Sequence, residues 1–128
     1  MAQPKRVILC VDDEENSLIL RKLVLEKSGY AVMTAGSATQ AMEILGSQPV
    51  DLVLSDQLMP DETGTELARR IKASRPGLPV VLVSGVNEVP ADANSADLFI
   101  SKLEGPENLC RKIAEVLTAG FAASGEGS

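Results

Sequence analysis

The sequence predicts an α/β fold, a doubly wound five-stranded parallel sheet with helices on both faces, and three observations carry that prediction. Short β-branched runs alternate with segments of helical period, the pattern that strand–crossover–strand units leave in a chain. Three of those runs, over 7–11, 50–55 and 79–84, are apolar without alternation, as strands covered on both faces must be. The length of 128 residues, 45% hydrophobic and 23% charged, suits one domain with a real core.

The elements follow in order. Strands are expected over 7–11, 31–35, 50–55, 79–84 and 98–101. The first helix covers about 14–28, with Ile19, Leu20, Leu23 and Val24 as the apolar stripe expected to face the sheet and Gly29 as a left-handed stop. Ser37 caps the second, which carries Ala38, Ala41, Ile44 and Leu45 and ends at Gly46. Thr63 and Glu66 form a capping box that opens the third, where Leu67 and Ile71 stack one turn apart. The stretch over 86–96 is expected to hold a shortened fourth helix, because it contains Pro90 and mostly small or polar residues. Pro106 opens the last helix at a first helical position, with Leu109, Ile113, Val116 and Leu117 facing the sheet. The domain is expected over 5–118, and 119–128 reads as a flexible C-terminal tail.

Composition excludes several function classes. Twelve Lys and Arg against eighteen Asp and Glu leave a net charge of -6, so no DNA binding is expected of this chain alone. With one Tyr, two Phe and no Trp, platforms for stacking bases are nearly absent. The lack of histidine removes the commonest general base, the usual zinc ligand and any phosphohistidine carrier. Catalysis would have to run on carboxylates, hydroxyls and lysine. Cys10 and Cys110 match no metal-ligand spacing and read as reduced packing residues of a cytoplasmic protein. No apolar run is long enough for a signal peptide or a membrane span, so no membrane partner is expected.

A sheet of this kind has the flavodoxin-like order 2-1-3-4-5, and ligands bind beyond the carboxyl ends of its first and third strands, where the winding reverses. The polar residues gather at those ends. Asp12 and Asp13 follow the first strand, Asp56 the third and Lys102 the fifth, while Ser84 closes the fourth. Three carboxylates in one crevice repel each other, and a hard divalent cation removes the conflict. Oxygen ligands without His or Cys favour Mg²⁺, which keeps several waters and accepts one or two carboxylates plus phosphate oxygens. A carboxylate flanked by a metal, the Lys102 ammonium and the Ser84 hydroxyl is arranged to accept a phosphoryl group, with Asp56 as nucleophile.

These residues carry a resemblance. The segments Ile8-Leu9-Cys10-Val11-Asp12-Asp13-Glu14, Asp51-Leu52-Val53-Leu54-Ser55-Asp56-Gln57-Leu58-Met59-Pro60, Val83-Ser84-Gly85 and Phe99-Ile100-Ser101-Lys102, with Gly64 four residues beyond Pro60, resemble the receiver domain of bacterial two-component response regulators over nearly the whole chain. The resemblance implies a protein that is not an enzyme in the ordinary sense and catalyses only its own phosphorylation and dephosphorylation. It implies Asp56 as phosphoacceptor, Mg²⁺ held by Asp13, Asp56 and the Leu58 carbonyl, and Asp12 acting through water. It also implies that Ser84 and Phe99 switch with phosphorylation and pass the state to the face formed by 86–96, the last strand and the last helix. The implied partners are a histidine kinase or phosphotransfer protein and a downstream protein target.

Three departures from the family pattern accompany it. Leu103 follows Lys102 where the family usually has proline. The segment between Ser84 and Lys102 is about one helical turn short. Leu58 and Val86 are apolar where other members place polar side chains around the hydrolytic water, which implies slow loss of the phosphoryl group. Rival enzymes on the same fold fit worse. A haloacid-dehalogenase-like phosphatase needs a second Asp where Leu58 stands, and in a flavin mononucleotide binder Asp12, Asp13, Glu14 and Glu15 would repel the phosphate. A non-phosphorylated receiver-like interaction module is the remaining alternative.

Overall fold

The computed structural model describes residues 5–59, 61–85, 96–102 and 104–126. Along the chain run β1 (Val7–Val11), α1 (Glu15–Lys27), β2 (Ala31–Ala35), α2 (Ala38–Ser47), β3 (Leu52–Asp56), α3 (Gly64–Ser74), β4 (Val80–Ser84), β5 (Leu98–Ser101) and α4 (Pro106–Glu126). The strands form one parallel sheet in the order β2-β1-β3-β4-β5, as the sequence predicts.

Successive side chains of a strand point to opposite faces, so the fully apolar strands feed two cores at once. On one face Leu9, Val11, Val53 and Leu82 pack with Ala41 and Leu45 of α2 and with Leu67 and Ile71 of α3. On the other, Ile8, Cys10, Leu54 and Val81 pack with Leu25 of α1 and with Ile113 and Leu117 of α4. Both cysteines are free thiols, and burial pushes that of Cys10 up to about 12, leaving it inert at neutral pH.

Several expectations shift. β3 starts at Leu52 because the Asp51 carboxylate turns back to accept the Val7 N–H at 2.7 Å, and Asp56 joins the strand as its last residue. β4 likewise begins at Val80. Gly46 does not end α2, which runs on to Ser47, and the Gln48 N–H closes it on the Ile44 carbonyl. The last helix is drawn as far as Glu126, beyond the expected domain end at 118. Residues 86–95 lie outside the described residues, as do Pro60 and Leu103, so the shortened fourth helix, the place of Val86 and the peptide after Lys102 fall there too.

The largest correction concerns α1. Ile19, Leu20 and Leu23 do not face the sheet: they are 51%, 63% and 57% exposed. Apolar residues occur all round this helix, so their spacing cannot set its rotation. Its phase comes from its ends. The Glu14 N–H is tied to Asp12 Oδ1 at 3.0 Å, and the Ser28 and Tyr30 N–H groups close on the Leu25 carbonyl, with Gly29 at φ 98°. Between those anchors the inward row is Leu18, Arg21 and Leu25.

Candidate functional site

The crevice beyond the carboxyl ends of β1, β3 and β5 is about 500 Å³, lined by Asp12, Asp13, Arg21, Asp56 and Lys102, with Leu20 and Leu109 at its apolar side. Each carboxylate reaches it by a different local device. Asp12 continues the ladder past β1, its N–H on the Ala35 carbonyl at 3.1 Å, so the side chain is buried. Asp13 leaves the sheet and is exposed.

Asp56 is buried at the end of β3, and the loop after it folds back onto the strand. The Gln57 N–H bonds the Val83 carbonyl at 2.9 Å, and the Gly64 N–H bonds the Gln57 carbonyl at 2.8 Å. Gln57 Oε1 accepts from both the N–H and the hydroxyl of Thr65 at 3.0 Å. Only glycine fits at 64, because a Cβ there would lie 2.6 Å from the Asp56 carbonyl oxygen and 2.9 Å from Leu82 Cδ2. That glycine lets α3 clamp the backbone of Asp56.

The charges converge. One carboxylate oxygen each from Asp12, Asp13 and Asp56 lies within 4.8 Å of the others. Lys102 Nζ is 3.0 Å from Asp56 Oδ1, a charge contact that leaves this buried oxygen without an aligned hydrogen bond. Both Asp12 oxygens are engaged, Oδ1 by the Glu14 N–H and Oδ2 by Arg21 Nη1 at 3.0 Å. Burial pushes the Asp12 carboxyl above the usual carboxylate range; the Glu14 N–H pulls it down, the Asp56 charge pushes it up, and Arg21 pulls it down. A crowded acidic trio containing an oxygen that lacks an aligned donor fits a hard divalent cation.

The other expected residues sit around this centre. Ser84 is buried at the end of β4, and its carbonyl accepts the Lys102 N–H at 2.8 Å, which joins the two strand ends. Phe99 is half-buried against the core on the α2 and α3 face. Leu58 is exposed on the loop after β3. The side chains of Ser84, Phe99 and Leu58 are not among those lining the crevice. Arg21 is the residue that sequence reading missed. Its signal was present, a lone cation at i+3 from Leu18 and i-4 from Leu25 on the inward row, but the wrong stripe hid it.

The Response regulator receiver domain family model matches residues 8–114. The chain is 36% identical over 91 residues to the response regulator receiver protein CpdR of Brucella abortus, covering 71% of this chain and 75% of that one. It is 31% identical over 123 residues to the transcriptional regulatory protein GlrR of Escherichia coli, covering 93% of this chain but only 28% of the relative's length. Among solved structures, it is similar to a CheY-like response regulator receiver domain protein of Methanospirillum hungatei, with 32% identity, TM-score 0.86, and 93% and 98% of the two chains covered. It is also similar to the response regulator TrrA of Thermotoga maritima in complex with Mg²⁺-BeF, with 29% identity, TM-score 0.81, and 86% and 97% covered.

Proposed function

Because the chain belongs to the response regulator receiver domain family, whose members are phosphoacceptor signalling domains, we propose that Asp56 takes up the phosphoryl group, from a phosphohistidine on a histidine kinase or phosphotransfer protein. The observation that carries this reading is the placement of Asp56, buried at the end of β3 with Asp12 and Asp13 within 4.8 Å and Lys102 at 3.0 Å.

In the transfer, a carboxylate oxygen of Asp56 forms the new O–P bond as the N–P bond of the donor breaks, and the departing imidazole keeps that electron pair. Asp13, Asp56 and the Leu58 carbonyl would hold Mg²⁺ directly, and Asp12 through water, since its own oxygens are taken by Glu14 and Arg21. Bound there, the metal supplies positive charge against the incoming phosphoryl oxygens. Lys102 supplies a second positive charge, already beside the oxygen that reacts or its twin. The Ser84 side chain turns into the crevice so that its hydroxyl donates a hydrogen bond to the phosphoryl group, and Phe99 follows it inward, changing the surface offered to a downstream protein. Hydrolysis of the acyl phosphate returns aspartate and inorganic phosphate.

The exposed apolar row of α1 offers the donor protein a surface beside the crevice, since Leu20 stands both on the crevice wall and on that row. That row suits the apolar side of a partner helix.

The test is intact mass after incubation with a small phosphodonor and Mg²⁺. The parent gains one phosphoryl group, whereas Asp56→Asn gains none, and removing the metal abolishes the gain. Equal uptake by Asp56→Asn would remove Asp56 from the role. If the parent itself takes up nothing, the chain is the non-phosphorylated interaction module instead.

A further inference from the structure

Arg21 does a job that the transfer chemistry does not call for. Its side chain is 14% exposed, on the inward row of α1, with its guanidinium on Asp12 Oδ2 at 3.0 Å and in the wall of the acidic crevice. An arginine is costly to bury unless its fork of donors meets a carboxylate. It also meets a carboxylate whose other oxygen is already held by the Glu14 N–H. Asp12 is thereby neutralised and locked before any metal arrives.

We propose that Arg21 is a resident counter-cation that sets how strongly the crevice holds a divalent cation: it balances one of the three carboxylates and weakens the site for Mg²⁺. This rests on reading the crevice as a metal site, and it deepens that reading by naming the residue that tunes it. Two physical effects act in the same direction. The guanidinium charge opposes a second cation bound in the same crevice, and because Arg21 and Asp12 are both largely buried, solvent screens that repulsion only in part. Its contact with Oδ2 also removes Asp12 from direct ligation, so the metal finds two carboxylates instead of three.

The experiment is a calorimetric Mg²⁺ titration of the parent, Arg21→Met and Arg21→Lys, with melting temperatures recorded with and without Mg²⁺. Arg21→Met keeps the length and apolar packing of the stem and removes the charge. It should bind Mg²⁺ about tenfold more tightly than the parent and gain more in melting temperature from the metal. Arg21→Lys should bind as the parent does. If Arg21→Met folds only when Mg²⁺ is present, the metal has taken over the arginine's role, and the inference stands. If it fails to fold under both conditions, Arg21→Gln decides by the same titration. An uncharged variant that binds no more tightly than the parent overturns the inference and leaves the metal site intact. A parent that binds no Mg²⁺ overturns the metal site and the inference with it.

Discussion

The two faces of the sheet are built to different standards. On the α2 and α3 face both helices are closed by their own side chains. Ser37 Oγ accepts the Gln40 N–H at 3.1 Å, and Thr63 and Glu66 satisfy each other's N–H groups in a reciprocal capping box. Their large apolar residues Leu45, Leu67 and Ile71 are buried. On the α1 and α4 face, α1 begins without a side-chain cap, spends its inward row on an arginine, and leaves Ile19, Leu20 and Leu23 in solvent. One face secures the fold and clamps Asp56 from behind. The other is as well buried at Leu25 and Ile113, but its α1 places an arginine at the crevice and leaves apolar surface beside it.

Substitutions on the two faces can break or sharpen that contrast. The largest effect is expected at Leu67, fully buried in α3, where Leu67→Ala should cost about 2–5 kcal/mol through lost burial and the cavity left behind. Chemical denaturation reads it directly. A cost under about 1 kcal/mol would mean the α3 face collapses around the gap and is less tightly built than its burial implies.

Gly64→Ala comes next. Its Cβ would press on the Asp56 carbonyl and Leu82, so a loss of about 1–3 kcal/mol is expected, with phosphoryl uptake slowed because the Asp56 backbone must shift. Measuring stability and uptake on the same sample separates the two consequences. Unchanged values for both would show that α3 does not clamp Asp56.

The smallest effect belongs to the open face. Leu20→Gln removes an exposed apolar side chain and keeps good helix propensity, so the stability change should stay within about 0.5 kcal/mol. A loss near that of Leu67→Ala would place Leu20 in a packed interface and end the distinction between the faces.

Most of the fold and of the site could be read from the chain. Apolar runs without alternation announce a parallel sheet, and winding rules put the residues just past each strand on one edge. Asp12, Asp13, Asp56 and Lys102 meet there for that reason. The capping pair Thr63 and Glu66 and the stop at Gly29 were legible because they are local: a hydroxyl three residues before a carboxylate, a residue free to take φ 98°. Gly46 misled by the same local logic, since a glycine inside a helix costs only about 1 kcal/mol against alanine and packing can override it.

What the sequence by itself determined was therefore the order of the strands, the edge on which the acids and lysine collect, and the chemistry they can share. The rotation of α1 was decided only by tertiary structure. With apolar side chains on every side of that helix, periodicity offers several equivalent phases, and the choice falls to how the helix is tied and packed in the fold: its ends held on Asp12 and at the Gly29 turn, Leu25 and Leu18 against the sheet, and Arg21 on Asp12 nine residues back. The same choice exposed Ile19, Leu20 and Leu23 and brought a guanidinium into the crevice. An ion pair across two helical turns and a strand end is a fact of distance, and spacing along the chain does not contain it.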